Sequence, residues 1–235
     1  MKQLSRLFET RKLHYGKYLY KLVLSNSLSN VFRTELQKGT TLSHAKEKLD
    51  FLADQHKAGK PLATFRYRTP TLISNDEYLD ALHIYNTLKD LTDYKVRTTY
   101  HRTLTIYSND ISMLTSISDN LYTSNIELWK PNKEYIELLT SDKNIIVVDK
   151  PTDMTIKVTF KRGNINKDFA IWVRANGDKC QIGQVTLNDI ENDGYLYGNY
   201  MYVRNEKILN LVILLIGNSI SRVDKIVYRG DIDKY

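Results

Sequence analysis

Two stretches of this sequence follow one plan. Leu104–Leu128 reads LTIYSNDISMLTSISDNLYTSNIEL, and Tyr200–Val227 reads YMYVRNEKILNLVILLIGNSISRVDKIV. In each, an alternating strand ends in Asn and an acidic residue. An apolar helix of about three turns follows, then a Ser-containing turn and a second strand. A unit used twice implies two similar modules, and 235 residues leave room for two domains.

The flanking sequence can be sorted by period. Leu4, Leu7 and Phe8 have helical spacing, so a short helix is expected within residues 1–18. Leu19–Ser25 reads as a strand and Ser27–Leu36 as a short helix. Leu42–Lys57 carries an apolar stripe of Leu42, Ala45, Leu49, Leu52 and Ala53, stopped by Gly59-Lys60-Pro61. Leu62–Ile73 is strand-like, and Ser74-Asn75-Asp76 caps a helix running through Leu91. Strands at Tyr94–Thr99 and Thr103–Ser108, a helix at Asp110–Asn120 and a strand at Asn125–Trp129 complete the first half. A βαββαβ core can be cut from this series, leaving one helix and one strand over.

Pro131–Lys143 is polar, with a short helix at Glu134–Leu139, and reads as the boundary. Asn144–Asp149 is a compact strand that either half can claim. Beyond it, Thr155–Lys161, Tyr195–Arg204 and Ser221–Tyr228 read as strands, and Asn166–Ala175 and Glu206–Ile216 as helices. Cys180–Ile182 and Val185–Ile190 are open between strand and helix. The expected fold is α+β: two tandem ferredoxin-like modules at 1–130 and 144–235, joined by a linker at 131–143, the first with an extra helix and strand.

Composition narrows the partners. Lysine and arginine number 34 against 27 acidic residues, a net charge of +7. That field favours polyanions, with nucleic acid first. A single cysteine, Cys180, cannot form an internal disulfide, which fits a reducing compartment. The charged N-terminus lacks a signal-peptide core, and Ile208–Ile216, the longest apolar run, is too short to span a bilayer. A cytoplasmic location is expected, in the host or virion if the protein is viral. The 17 tyrosines, with frequent Asn, Lys and Ile, also fit the codon bias of an AT-rich phage or viral genome.

Strand faces name the candidate contacts. A period of two puts Met201 and Val203 toward the helices and Tyr200, Tyr202 and Arg204 on the opposite face. Ile156, Val158 and Phe160 go inward, leaving Lys157, Thr159 and Lys161 beside those tyrosines. In the first half, Lys95, Arg97 and Tyr107 point outward, and Arg66 and Arg68 form a third basic row. Rings stack on unpaired bases and cations meet phosphates. The arrangement is similar to that of the RNA-recognition-motif family, an open sheet with aromatic residues on its central strands. Gly198-Asn-Tyr-Met-Tyr-Val-Arg204 shares a glycine, alternating aromatics and a valine with that family's central-strand consensus, without meeting it. What the resemblance implies is binding of single-stranded nucleic acid.

Catalytic signatures are missing from the sequence. The five histidines have no metal spacing, and His83-Ile-Tyr85 lacks the second histidine of replication-initiator endonucleases. Asp189, Glu191 and Asp193 near Gly194 lack the EF-hand spacing. P-loop, GxGxxG, GxSxG and CxxC motifs do not occur. Phe169–Lys179 resembles the LAGLIDADG segment of homing endonucleases, with Asn176 or Gly177 where its acidic residue belongs. Tandem ferredoxin-like modules also resemble the CRISPR RNA-processing proteins, whose C-terminal glycine-rich loop is missing. The reading is therefore a non-catalytic protein that binds single-stranded or structured RNA or DNA, without metal or cofactor, and with self-association open. The alternatives are an assembly subunit of a virus or phage particle, or a metal-dependent nuclease with dispersed carboxylates.

Overall fold

A computed structural model describes residues 6–32, 42–66, 69–99, 102–123 and 125–234. The chain divides into two compact units, Met1–Thr10 with Lys17–Asn132, and Arg11–Gly16 with Lys133–Tyr235. Both are mixed α+β, and each is built on a five-stranded sheet.

In the first unit the elements run β1 (Arg6–Glu9), β2 (Tyr20–Ser25), α1 (Ser43–Lys57), β3 (Ala63–Arg66), β4 (Thr69–Leu72), α2 (Asn75–Leu88), β5 (Tyr94–Thr99), β6 (Thr103–Ser108), α3 (Ile111–Asn120) and β7 (Ile126–Lys130). The sheet order is β1-β7-β2-β6-β5. One face is apolar at every second residue, with Leu22, Leu24, Leu104, Ile106, Ile126 and Leu128 buried against α1, α2 and α3. The helix starts are written locally. Ser74 and Glu77 form a reciprocal capping box on α2, and the Asp110 carboxylate accepts the Met113 N–H at 3.0 Å to start α3.

The second unit contains α4 (Ile136–Ser141), β8 (Ile145–Val148), β9 (Ile156–Phe160), α5 (Asp168–Ala175), β10 (Cys180–Ile182), α6 (Gln184–Glu191), β11 (Tyr200–Val203), α7 (Glu206–Ile216) and β12 (Ile220–Tyr228). Its order is β8-β12-β9-β11-β10. Ile156, Val158, Phe160, Met201 and Val203 meet α5, α6 and α7 in one core. In α7, Ile208, Leu209, Val212 and Ile216 form the buried stripe. Burial raises the Cys180 thiol to about 11, which makes it a poor nucleophile.

Strand for strand, the two sheets have the same order. β1 matches β8, β7 matches β12, β2 matches β9, β6 matches β11 and β5 matches β10. The edge pairs β1–β7 and β8–β12 are parallel, and the other pairs are antiparallel. The duplicated strand-helix-strand of the sequence falls on β6-α3-β7 and β11-α7-β12.

Several expectations need correction. The N-terminal segment expected as a helix is the strand β1 from Arg6 to Glu9, with residues 1–5 outside the described set. Its Leu7 and Phe8 point to opposite faces, so their helical spacing was incidental to strand pairing with β7. Within Leu62–Ile73 the described residues form two strands, β3 and β4, which pair as a separate two-stranded sheet. The strand expected from Tyr195 begins at Tyr200, because Gly198 turns the backbone into the left-handed region at φ 70°. Of the ambiguous pair, Cys180–Ile182 is strand and Gln184–Glu191 is helix.

A buried carboxylate fixes the α3–β7 connection. Asp80 of α2 accepts N–H bonds from Tyr122 at 2.7 Å and Thr123 at 3.1 Å. Burial raises its pKa, and those two N–H groups offset part of the rise. Asp80→Ala is expected to cost roughly 2–3 kcal/mol in urea unfolding, since both N–H donors lose their acceptor. Asp80→Asn keeps one acceptor and should lose less.

Candidate nucleic-acid interface

The face of the second sheet opposite α5, α6 and α7 is sorted by register. Tyr202 lies opposite Gln181 on one side and Lys157 on the other, and Lys157 lies opposite Asp224. The next row runs Tyr200, Thr159, Arg222. The period of two that buries Met201 and Val203 thus puts two neighbouring tyrosines, one exposed and one half-buried, beside a lysine. Tyr200 is 42% exposed, and its ring meets Tyr202 edge-on at 5.4 Å. The Lys157 ammonium sits 3.7 Å from the Tyr200 ring centroid, a cation–π contact.

A concentration of positive charge adjoins these rings. Asp224 is fully buried, and its two oxygens accept from Lys12 at 2.9 Å and Arg222 at 2.5 Å. The Arg222 guanidinium also donates to the Lys143 carbonyl at 2.9 Å, so its fork is held in place. Lys12, Arg222 and Lys157 therefore cluster around one carboxylate. Burial lowers the Lys157 pKa below 10.5, Lys12 and Arg222 lower it further, and Asp224 partly opposes them. Because the folded value is depressed, the charged lysine opposes folding below that value, and the penalty fades as pH rises toward 10.5. An anion beside Lys157 favours its protonated form. Affinity for a polyanion should therefore fall as pH rises through the depressed Lys157 value, with proton uptake measurable by calorimetry in two buffers of different ionisation heat.

At the Tyr200 end lies an open pocket of about 280 Å³ lined by Gly183, Thr186, Tyr197, Gly198, Asn199 and Tyr200. Asn199 braces it, donating to the Thr186 hydroxyl at 2.9 Å and accepting the Tyr197 N–H at 2.7 Å. The Arg162 guanidinium stacks 4.3 Å from the Tyr197 ring centroid. The volume is close to the lower end of the small-ligand range of about 300–1,000 Å³.

The other sequence candidates fall in different places. Arg204, one residue past β11, lies 3.9 Å from Asp153, and its carbonyl accepts from the Thr155 hydroxyl. Lys161 lies past the opposite end of the same face and donates to the Asn218 carbonyl at 2.9 Å. In the first unit, Lys95, Tyr107 and Lys21 form one row, and Arg97, Thr105 and Val23 the next. Tyr107 is 8% exposed, with the Tyr18 ring centroid 6.4 Å from its own, and is too covered to stack on a base. Arg66 ends β3, which pairs with β4 in a sheet separate from the five-stranded one. Arg68 lies outside the described residues.

The sequence reading did not single out Lys12, Arg222 and Asp224. A signal for two of them was present: alternation along Ser221–Tyr228 puts Arg222 and Asp224 on one face. Lys12 had none, since it enters from a segment 212 positions away from its partner.

Among the described residues, no group of three or more His, Cys, Asp or Glu side chains is placed to hold a metal ion. The acidic run near Gly194 is the end of α6, where Glu191 pairs with Arg174 at 2.5 Å. No described helix is long and apolar enough to cross a membrane. No protein-family model, curated protein or solved structure matches the chain.

Proposed function

We propose that the protein binds single-stranded nucleic acid on the face of its second sheet opposite α5, α6 and α7, without catalysis. One observation carries this reading: Tyr200 and Tyr202 stand beside Lys157, which lies opposite Asp224, and Lys12 and Arg222 both pair with that carboxylate, so three cations meet one acidic group. Rings of this kind take unpaired bases and cations of this kind take phosphates. The strand order supports reading each unit as a ferredoxin-like βαββαβ core with one added edge strand, β1 or β8. In that reading α1 and the β3–β4 pair are insertions in the first unit, and α6 is an insertion in the second.

The test is fluorescence anisotropy of labelled oligo(U) and oligo(dT), alongside a labelled duplex. Saturable binding of the single strands, weakened by Lys12→Ala plus Lys157→Ala, is the expected outcome. Absence of binding to all three probes at low salt would overturn the reading, and preference for the duplex would overturn its single-strand part.

An assembly subunit is the second reading, favoured by the outer side of α7. Leu211, Leu214 and Leu215 are exposed there, Leu214 at 82%. Light scattering separates the two: an oligomer that forms without nucleic acid and is dispersed by Leu214→Asp supports assembly, and a monomer at all concentrations excludes it.

A further inference from the structure

The first unit carries a second row of the same chemistry, in which Lys21, Trp129 and Phe8 join the sequence candidates Lys95 and Tyr107. Register places Lys95, Tyr107, Lys21, Trp129 and Phe8 side by side across β5, β6, β2, β7 and β1. These five positions lie on the face away from α1, α2 and α3, since their strand neighbours Leu22, Ile106 and Leu128 form the core.

Trp129 sits in register between Lys21 and Phe8. The Lys21 ammonium lies 3.6 Å from the Trp129 ring centroid. Phe8 stacks on the same indole with centroids 4.8 Å apart and planes 15° apart. The Trp129 indole N–H donates to Glu127 at 3.2 Å, which fixes the ring's orientation. Phe8 is 37% exposed on the edge strand, so the stack ends in an accessible ring.

Matching the two sheets strand for strand pairs Lys21 with Lys157 and Tyr107 with Tyr202. Each lysine is on the central strand, each lies over an aromatic ring, and burial lowers the pKa of both. The aromatic load has moved between the units. In the second it is on β11, as Tyr200 and Tyr202. In the first it is on β7 and β1, while Tyr107 is buried. The described strand residues of this face also carry Arg6, Lys95 and Arg97, against Glu127 as the acidic one. That balance matches a polyanion.

We infer that the Lys21–Trp129–Phe8 row is a second single-strand nucleic-acid platform, on which a base stacks against Phe8 at the end of the ring stack while Lys21 and Arg6 meet the adjoining phosphates. This inference rests on the nucleic-acid reading of the second unit and adds a site to it. It also gives the internal repeat a functional meaning: two cation–aromatic faces in one chain.

Tryptophan fluorescence tests it directly, because the chain has 2 tryptophans, Trp129 and Trp172. Trp172 stacks on Phe169 in the second unit. In a Trp172→Phe protein, unlabelled oligo(dT) should quench or shift the Trp129 emission saturably. The change should persist when Tyr200→Ala and Tyr202→Ala are added. Phe8→Ala and Lys21→Met should each weaken the Trp129-detected binding roughly 5- to 20-fold, within the range of one lost stacking or phosphate contact. Phe8→Leu keeps an apolar edge residue without the ring and should weaken binding as well, which separates loss of stacking from loss of fold. If anisotropy shows oligo(dT) bound while Trp129 emission is unchanged and Phe8→Leu binds normally, the second platform is wrong and the second-unit site stands. If anisotropy shows no binding at all, both fail.

Discussion

Replacing Tyr200 and Tyr202 together by alanine should weaken oligo(U) or oligo(dT) binding at the second unit by roughly 5- to 150-fold at fixed salt. The range follows from about 1–3 kcal/mol for a base stacked on one aromatic side chain. Tyr200 has the larger share, since it is 42% exposed and Tyr202 is half-buried beside it. The fold should survive, because the core-facing partners on the strand are Met201 and Val203 and neither is changed. The double variant should therefore keep its circular dichroism and its melting temperature within a few degrees while the anisotropy titration shifts. Unchanged affinity in a folded double variant would remove the tyrosines from the interface.

The second large effect is on stability. Asp224→Ala leaves Lys12, Arg222 and Lys157 near one another without their carboxylate. Removing one member of a fully buried pair costs about 3–5 kcal/mol. Lys12 and Arg222 are partly exposed, so water screens some of the repulsion. A loss of about 2–4 kcal/mol is expected in denaturant unfolding, with the melting temperature lower by on the order of 10 °C. Inorganic phosphate or oligo(dT) should return part of that loss, because an anion replaces the missing charge and binds the folded state. Asp149→Ala is the control. It removes an exposed partner of Arg11 at 2.6 Å and should cost between about 0 and 1 kcal/mol. Equal small losses in both variants would mean that the buried cluster contributes no more than a surface pair.

Local signals carried much of the fold. The capping box at Ser74 and Glu77, the Asp110 and Asn205 caps and the strict alternation of Ile156–Phe160 each act within a few residues, and each produced the element its sequence suggests. The same alternation put Tyr200, Tyr202 and Lys157 on one face. What stayed hidden depends on partners far along the chain. The four residues of β1 are too few to display a period, and their strand state is set by parallel pairing with β7. Lys12 meets Asp224 across 212 positions, and that pair places the charge of the candidate site. Phe8 and Trp129 lie far apart in the sequence, and only the parallel register of β1 and β7 makes them neighbours. In Tyr107, alternation gave the correct face, but not the burial of the ring.

The most direct test of the interface is the salt dependence of oligo(dT) affinity for the wild-type protein and for Lys157→Ala. Contacts to single strands give a log–log slope of about −0.7 per phosphate neutralised, so the cluster of Lys12, Lys157 and Arg222 should give a slope of roughly −2 or steeper. Lys157→Ala should flatten it by about 0.7. A slope near zero, or one that Lys157→Ala leaves unchanged, would contradict nucleic-acid binding at this face.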